Sequence, residues 1–216
     1  MTLFIRSVKL LIALCAIALG ISLIVKASIG QSTLSGFSYN LGYLFKMKQG
    51  TTLGWINFLF FLGQLPLLKW RLNIKHFFQL GMILVSTFLT NFFIYDFPWE
   101  ILPSPSIYPI QMIYLLMGIL IMALGIALMM ALDFVFMPYE GFLHLLSEKT
   151  KVSFGLLRRN FDIIQGIGSL VLIIAFQIPN TSVREGTIIF ALLVGTLNHY
   201  FIPFLKKTGW KDVFEH

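Results

Sequence analysis

The chain has 216 residues, 57% of them hydrophobic and only 12% charged, with a net charge of +7. A soluble domain carries about 25% charged residues, so this composition, with a mean hydropathy of +0.85, excludes an ordinary soluble fold and predicts an all-α polytopic membrane protein. The positive balance does not point to nucleic acid, because Lys and Arg flank apolar runs and form no stripe with interleaved aromatics.

Six apolar runs approach membrane length: 9–26, 52–68, 74–95, 112–132, 154–176 and 186–205. Each needs about 20 residues to cross ~30 Å of hydrocarbon, and 52–68 is the marginal one. Arg6 and Lys9 ahead of the first run imitate a secretory signal peptide. Because a similar segment recurs inside the chain, a retained helix is the expectation. Cys15 is the single cysteine, which excludes a disulfide framework and a cysteine metal cluster. The methionines of the fourth run recur at no single helical spacing and read as packing. No nucleophile motif, phosphate loop or zinc-spaced histidine cluster is present, so neither an enzyme nor a cofactor is expected.

The recurrence is specific. "ALGISLIVKASIGQSTLSGF" (18–37) aligns without a gap on "ALGIALMMALDFVFMPYEGF" (123–142). The same offset of 105 residues pairs Gly20 with Gly125, Gly36 with Gly141, Gly50 with Gly155, Gly63 with Gly168 and Gly81 with Gly186. Glycine marks close backbone approach or a break, so its repetition at one offset predicts a structural duplication. The expected organisation is a first three-helix repeat over 1–96, an external linker over 97–111 and a second three-helix repeat over 112–216.

Within each repeat the first run leads into a segment too apolar for a loop. Leu34, Phe37, Leu41 and Leu44 fall at helical spacing after Ser32, and Pro138 suits a first helical turn before Phe142, Leu145 and Leu146. Two short half-helices are predicted, over 32–45 and 138–147. They either re-enter the protein or lie flat in the interface.

Lys and Arg give the orientation. Arg6, Lys9, Lys69, Arg71, Lys75, Lys149, Lys151, Arg158, Arg159, Lys206, Lys207 and Lys211 fall on one side. Only Lys26, Lys46, Lys48 and Arg184 remain for the other, of 16 in all. The positive-inside rule puts both termini in the cytoplasm. Three crossings per copy then invert the second repeat, a plan shared by many transporters, whose sites lie between halves at broken helices.

Ionisable groups concentrate in the second copy. Asp133, Glu140, His144 and Asp162 stand where the first copy has Ser28, Ser35, Tyr39 and Asn57. Glu140 and His144, four apart, share a helix face, which suits proton handling or a cation; the alternative is a solvated pair at the cytoplasmic surface. Arg158 or Arg159 can pair with Asp162 about two turns into the fifth run, as a functional pair or as a structural clamp. The candidate substrate-binding or proton-coupling residues are therefore Glu140, His144, Asp133, Asp162, Arg158, Arg159, Ser35, Tyr39 and Asn57.

The pattern "LGIALMMALDFVFMPYEGFLHLLSEKTKVSFG", with its echo in the first copy, resembles bacterial YczE/YyaS/YitT-type integral membrane proteins. The carrying element is Pro138, Tyr139, Glu140, followed by "KVSFG" without the first glycine of the usual "G-x-S-x-G". The resemblance implies a multi-pass protein of the bacterial inner membrane, of transporter or permease type, and brings no catalytic residue with it. A small-solute permease is the leading expectation. A membrane subunit for substrate capture, or an accessory of a larger assembly, is the second. The expected partners are the lipid bilayer, an unidentified small solute, and either a second copy or a partner membrane subunit.

Overall fold

In the computed structural model, which describes residues 2–71, 73–208 and 210, every regular element among the described residues is helical. In chain order these are α1 (Thr2–Ala27), α2 (Thr33–Phe45), α3 (Gln49–Leu67), α4 (Ile74–Asn91), α5 (Tyr108–Leu132), α6 (Pro138–Thr150), α7 (Phe154–Phe176) and α8 (Glu185–Lys207). A π-helical turn, Phe92–Asp96, prolongs α4, and a 3-10 turn, Trp99–Ile101, lies in the connection to α5.

Among the described residues, five helical stretches are long and apolar enough to cross a membrane: Phe4–Ala27, Ile74–Asp96, Tyr108–Leu132, Phe154–Phe176 and Glu185–Lys207. The sixth expected span, α3, forms a helix of 19 residues but is not among them. Its apolarity is diluted by Thr52, Asn57 and Gln64, all buried. These polar groups face protein, so α3 offers outwards mainly its apolar side, including Leu59 and Leu62. Helix α5 begins at Tyr108, with Pro109 in its first turn, where a missing N–H costs nothing. Lys211, counted with the cytoplasmic cations, lies outside the described residues.

Helices α1 and α5 are hydrophobic all round and form the centre. A Cβ built on Gly20 would lie 2.6 Å from Met122 and 2.8 Å from the carbonyl oxygen of Gly118. One built on Gly125 would lie 2.8 Å from Ile17 and 2.9 Å from the carbonyl oxygen of Ala13. Small residues let the two backbones approach this closely. At an offset of 105, Ile17 corresponds to Met122 and Ala13 to Gly118, so the two glycines exchange equivalent partners.

The exchange extends outwards. Helix α2 packs on α7, and α6 packs on α3. The Phe37 ring lies 3.0 Å from a Cβ built on Gly168, and the Phe142 ring 3.0 Å from one built on Gly63. Backbone breaks recur at the same offset. Ser28 and Asp133 both adopt the left-handed region (φ 58° and 49°), as do Lys46 and Lys151 (φ 54° and 58°). Left-handed residues end helices by turning the chain away from the axis. They delimit each half-helix from the longer helix on either side of it.

Helix α2 is inverted relative to a soluble amphipathic helix. It buries Ser35, Gly36, Ser38, Asn40 and Gly42, while Tyr43 and Phe45 are exposed. The apolar set Leu34, Phe37, Leu41 and Leu44 is only half-buried. Apolar surroundings reward this arrangement, because polar groups must then find partners inside the protein.

Candidate functional site

The first turns of the two half-helices meet beside α7. Ser32, extended, caps α2 by accepting a hydrogen bond from the Ser35 amide. Helix α6 starts after Met137 with no side-chain cap, and Pro138 supplies no N–H. Helix starts leave backbone N–H groups without intrahelical acceptors, and the dipole adds partial positive charge there. A nearby carboxylate complements that charge. The Thr33 hydroxyl donates to Asp162 Oδ1 at 3.0 Å and the Tyr139 hydroxyl to the same oxygen at 3.3 Å. One α7 side chain thereby ties the first turn of α2 to the first turn of α6.

Around this point lies a cavity of about 180 Å³. Ser35, Asn57, Tyr139, Glu140, Arg158 and Asp162 form its polar wall, and Ile17, Ile21, Met122, Ile126, Phe190 and Val194 its apolar wall. The apolar wall comes from the α1–α5 crossing and from α8. Arg158 Nε stands 4.0 Å from Asp162 and its Nη1 4.0 Å from Glu140, so one guanidinium is shared loosely by two carboxylates.

Five of the nine sequence-derived residues therefore converge: Ser35, Asn57, Glu140, Arg158 and Asp162. The other four do not. His144 is exposed and does not bond Glu140; its Nδ1 lies 3.5 Å from Glu148 and its ring stacks on Phe136. Four residues of helix should have set Glu140 and His144 on one face. Arg158, projecting from α7, draws the Glu140 carboxylate inwards, and His144 pairs one turn further on instead. His144 and Asp133 line a separate open cleft of about 450 Å³ with His76 and Glu148. Tyr39, the counterpart of His144, is half-buried on α2 and does not line the cavity. Arg159 is exposed and has no ion-pair partner among the described residues.

Buried amides that single-residue reasoning passed over hold the half-helices in place. Gln64 of α3 donates to the Pro138 carbonyl at 3.0 Å, and Gln79 of α4 to the Phe136 carbonyl at 3.2 Å. Both lie against Gly141, where an added Cβ would be 2.9 Å from Gln79 Nε2 and 3.2 Å from Gln64 Oε1. At the start of α2, Gln49 of α3 donates to Gln31 Oε1 at 2.8 Å and to the Ser35 hydroxyl at 2.9 Å, and Ser35 donates to Gln31 Oε1 at 2.9 Å. Asn40 donates to the Ser169 hydroxyl and accepts from Ser182 at 3.1 Å. The signal for these residues was polarity inside apolar runs, which also reads as packing glue.

A family model described as "Family of unknown function (DUF6198)" matches residues 4–203 of the chain. No curated protein and no solved structure matches it.

Proposed function

The chain belongs to the family of unknown function DUF6198, and from its own geometry we propose that it is a small-solute permease of the bacterial inner membrane, with its solute site in the cavity between two inverted three-helix repeats. Asp162 carries this reading. It is a carboxylate about two turns into a membrane-length helix, and it holds the first turns of both half-helices. Ionisable groups at such depth are costly and mark solute, ion or proton routes by default. Broken helices meeting at a site between repeats are a transporter plan.

The inverted arrangement draws support from the exchanged partners at Gly20 and Gly125 and at Phe37 and Phe142. A two-fold relation between halves produces such reciprocity, with residue i touching j and the equivalent of j touching the equivalent of i. An axis in the membrane plane requires α3 to be a sixth span. At a rise of about 1.5 Å per residue its 19 residues extend roughly 28 Å, close to the hydrocarbon thickness. The repeats are then residues 1–96 and 112–216, joined outside, with both termini cytoplasmic.

Two measurements test this. Ser104→Cys in a Cys15→Ser background should be labelled by an impermeant thiol reagent only from outside whole cells. Labelling only from the cytoplasmic side removes the inversion. The full chain in liposomes should pass a small solute without a partner, and Glu140→Gln should change the pH dependence of that flux more than the amount of folded protein. Silence across a broad solute panel favours the alternative, a membrane subunit of a larger assembly.

A further inference from the structure

The donors and acceptors of the central cavity define the solute's chemistry, given the reading that this cavity is the solute site. Helix starts ordinarily favour an anion. Here Asp162 already brings negative charge beside both starts, its Oδ1 accepting from the hydroxyls of Thr33 and Tyr139 in the first turns of α2 and α6. A second carboxylate, Glu140, faces the same space, and among the described residues Arg158 alone opposes the two from 4.0 Å. An anionic group entering would meet like charge where the helix starts would otherwise hold it.

A third acceptor points the same way independently. Asn57 is only 3% exposed, and its side chain forms part of the cavity wall. Its Nδ2 donates to the Leu53 carbonyl at 3.0 Å, while its Oδ1 has no hydrogen-bond partner among the described residues. A buried carbonyl oxygen without a donor is costly, and a ligand N–H would relieve it. Asn57 and Asp162 occupy equivalent positions of the two copies, so one carboxylate and one amide acceptor face the same space from opposite halves. The surplus is therefore in acceptors, and the apolar wall of Ile17, Ile21, Met122 and Ile126 can take only a short chain within about 180 Å³.

We propose that the cavity binds a small solute through a protonated amine, whose ammonium donates to Glu140, Asp162 and Asn57 Oδ1. The ammonium comes either from a simple alkylamine or from a zwitterionic amino acid, whose carboxylate would accept from Arg158.

Thermal unfolding of the full chain in nanodiscs, titrated separately with propylamine, alanine, propionate and propanamide, tests the assignment. Propylamine or alanine should raise the unfolding temperature dose-dependently, whereas propionate and propanamide should not. A response to alanine alone identifies the zwitterion as the source, and a response to both identifies the ammonium as sufficient. Glu140→Gln and Asn57→Leu should each weaken the amine's apparent affinity about tenfold or more, with unliganded unfolding close to that of the parent. Should Asn57→Leu fail to fold, the conservative Glu140→Gln decides alone. Stabilisation by propionate in preference to the amines, no response to either amine at the highest soluble concentration, or unchanged affinity in Glu140→Gln overturns the assignment. Amine binding without amine flux in liposomes would leave it standing and remove the permease reading. Anion flux without amine binding would do the reverse.

Discussion

Gly20→Leu and Gly125→Leu should each destabilise the protein by about 3 kcal/mol or more, at or above the top of the range for overpacking a tight core. The cause is what the added carbon meets. At Gly20 it lies 2.6 Å from the Met122 backbone nitrogen, and at Gly125 2.8 Å from that of Ile17. A flexible side chain could swing away, but a helix backbone cannot, so α1 and α5 must separate and loosen both clusters packed along them. The two sites report on one crossing. Once the helices have parted, the second substitution finds the space already open, and the double variant should lose clearly less than the sum of the singles. Gly195→Leu is the control, because among the described residues nothing beyond its own helix turn lies within 4 Å of its built Cβ. Unfolding midpoints in a denaturing-detergent titration measure all four proteins. A parental midpoint for Gly125→Leu would sink the central-crossing account.

Asp162→Ala should have the second large effect, a loss of about 2–3 kcal/mol, as expected for removing hydrogen bonds to a charged acceptor. Thr33 and Tyr139 lose their acceptor together, while Arg158 keeps Glu140 at 4.0 Å. The two hydroxyl bonds should outweigh the ion pair, because the Arg158 and Asp162 side chains are 38% and 37% exposed and stand 4.0 Å apart. In double-mutant cycles Asp162 should therefore couple more strongly to Tyr139→Phe and Thr33→Val than to Arg158→Ala. An absence of coupling to either hydroxyl would show that Asp162 does not hold the half-helices. It would then be free to meet solute directly, and Glu140 would cease to be the first choice for the central ionisable group.

The elements were largely legible, and the reason is local. Apolar runs with a 3.6-residue pattern, Ser32 and Pro138 at helix starts, and glycines repeated at one offset depend only on neighbours along the chain. Both half-helices begin within a residue of the expected positions. Where local pattern failed, a distant contact had intervened. The spacing of Glu140 and His144 suggested a pair, but a helix face says nothing of which groups stand opposite it. Arg158 stands opposite Glu140, whereas Glu148 stands beside His144. The apolar spacing of α2 predicted a helix but not which face turns inwards, and Ser35, Ser38 and Asn40 are the residues buried. In an apolar environment, exposure no longer selects polar residues, so the sign of the inside-outside rule depends on surroundings the pattern does not encode.

The sequence by itself determined a helical chain suited to a membrane, its helices, the breaks after α1 and α5 and the offset of 105 residues that pairs Asn57 with Asp162. Composition and short-range periodicity are sufficient for these. Only the tertiary structure decided that the copies exchange partners through Gly20 and Gly125, that Gln64 and Gln79 hold the start of α6, and that Thr33 and Tyr139, 106 positions apart in the chain, share one carboxylate oxygen. Such contacts depend on how close two backbones can come and which donor then reaches an acceptor, and both are set by packing between segments far apart in sequence.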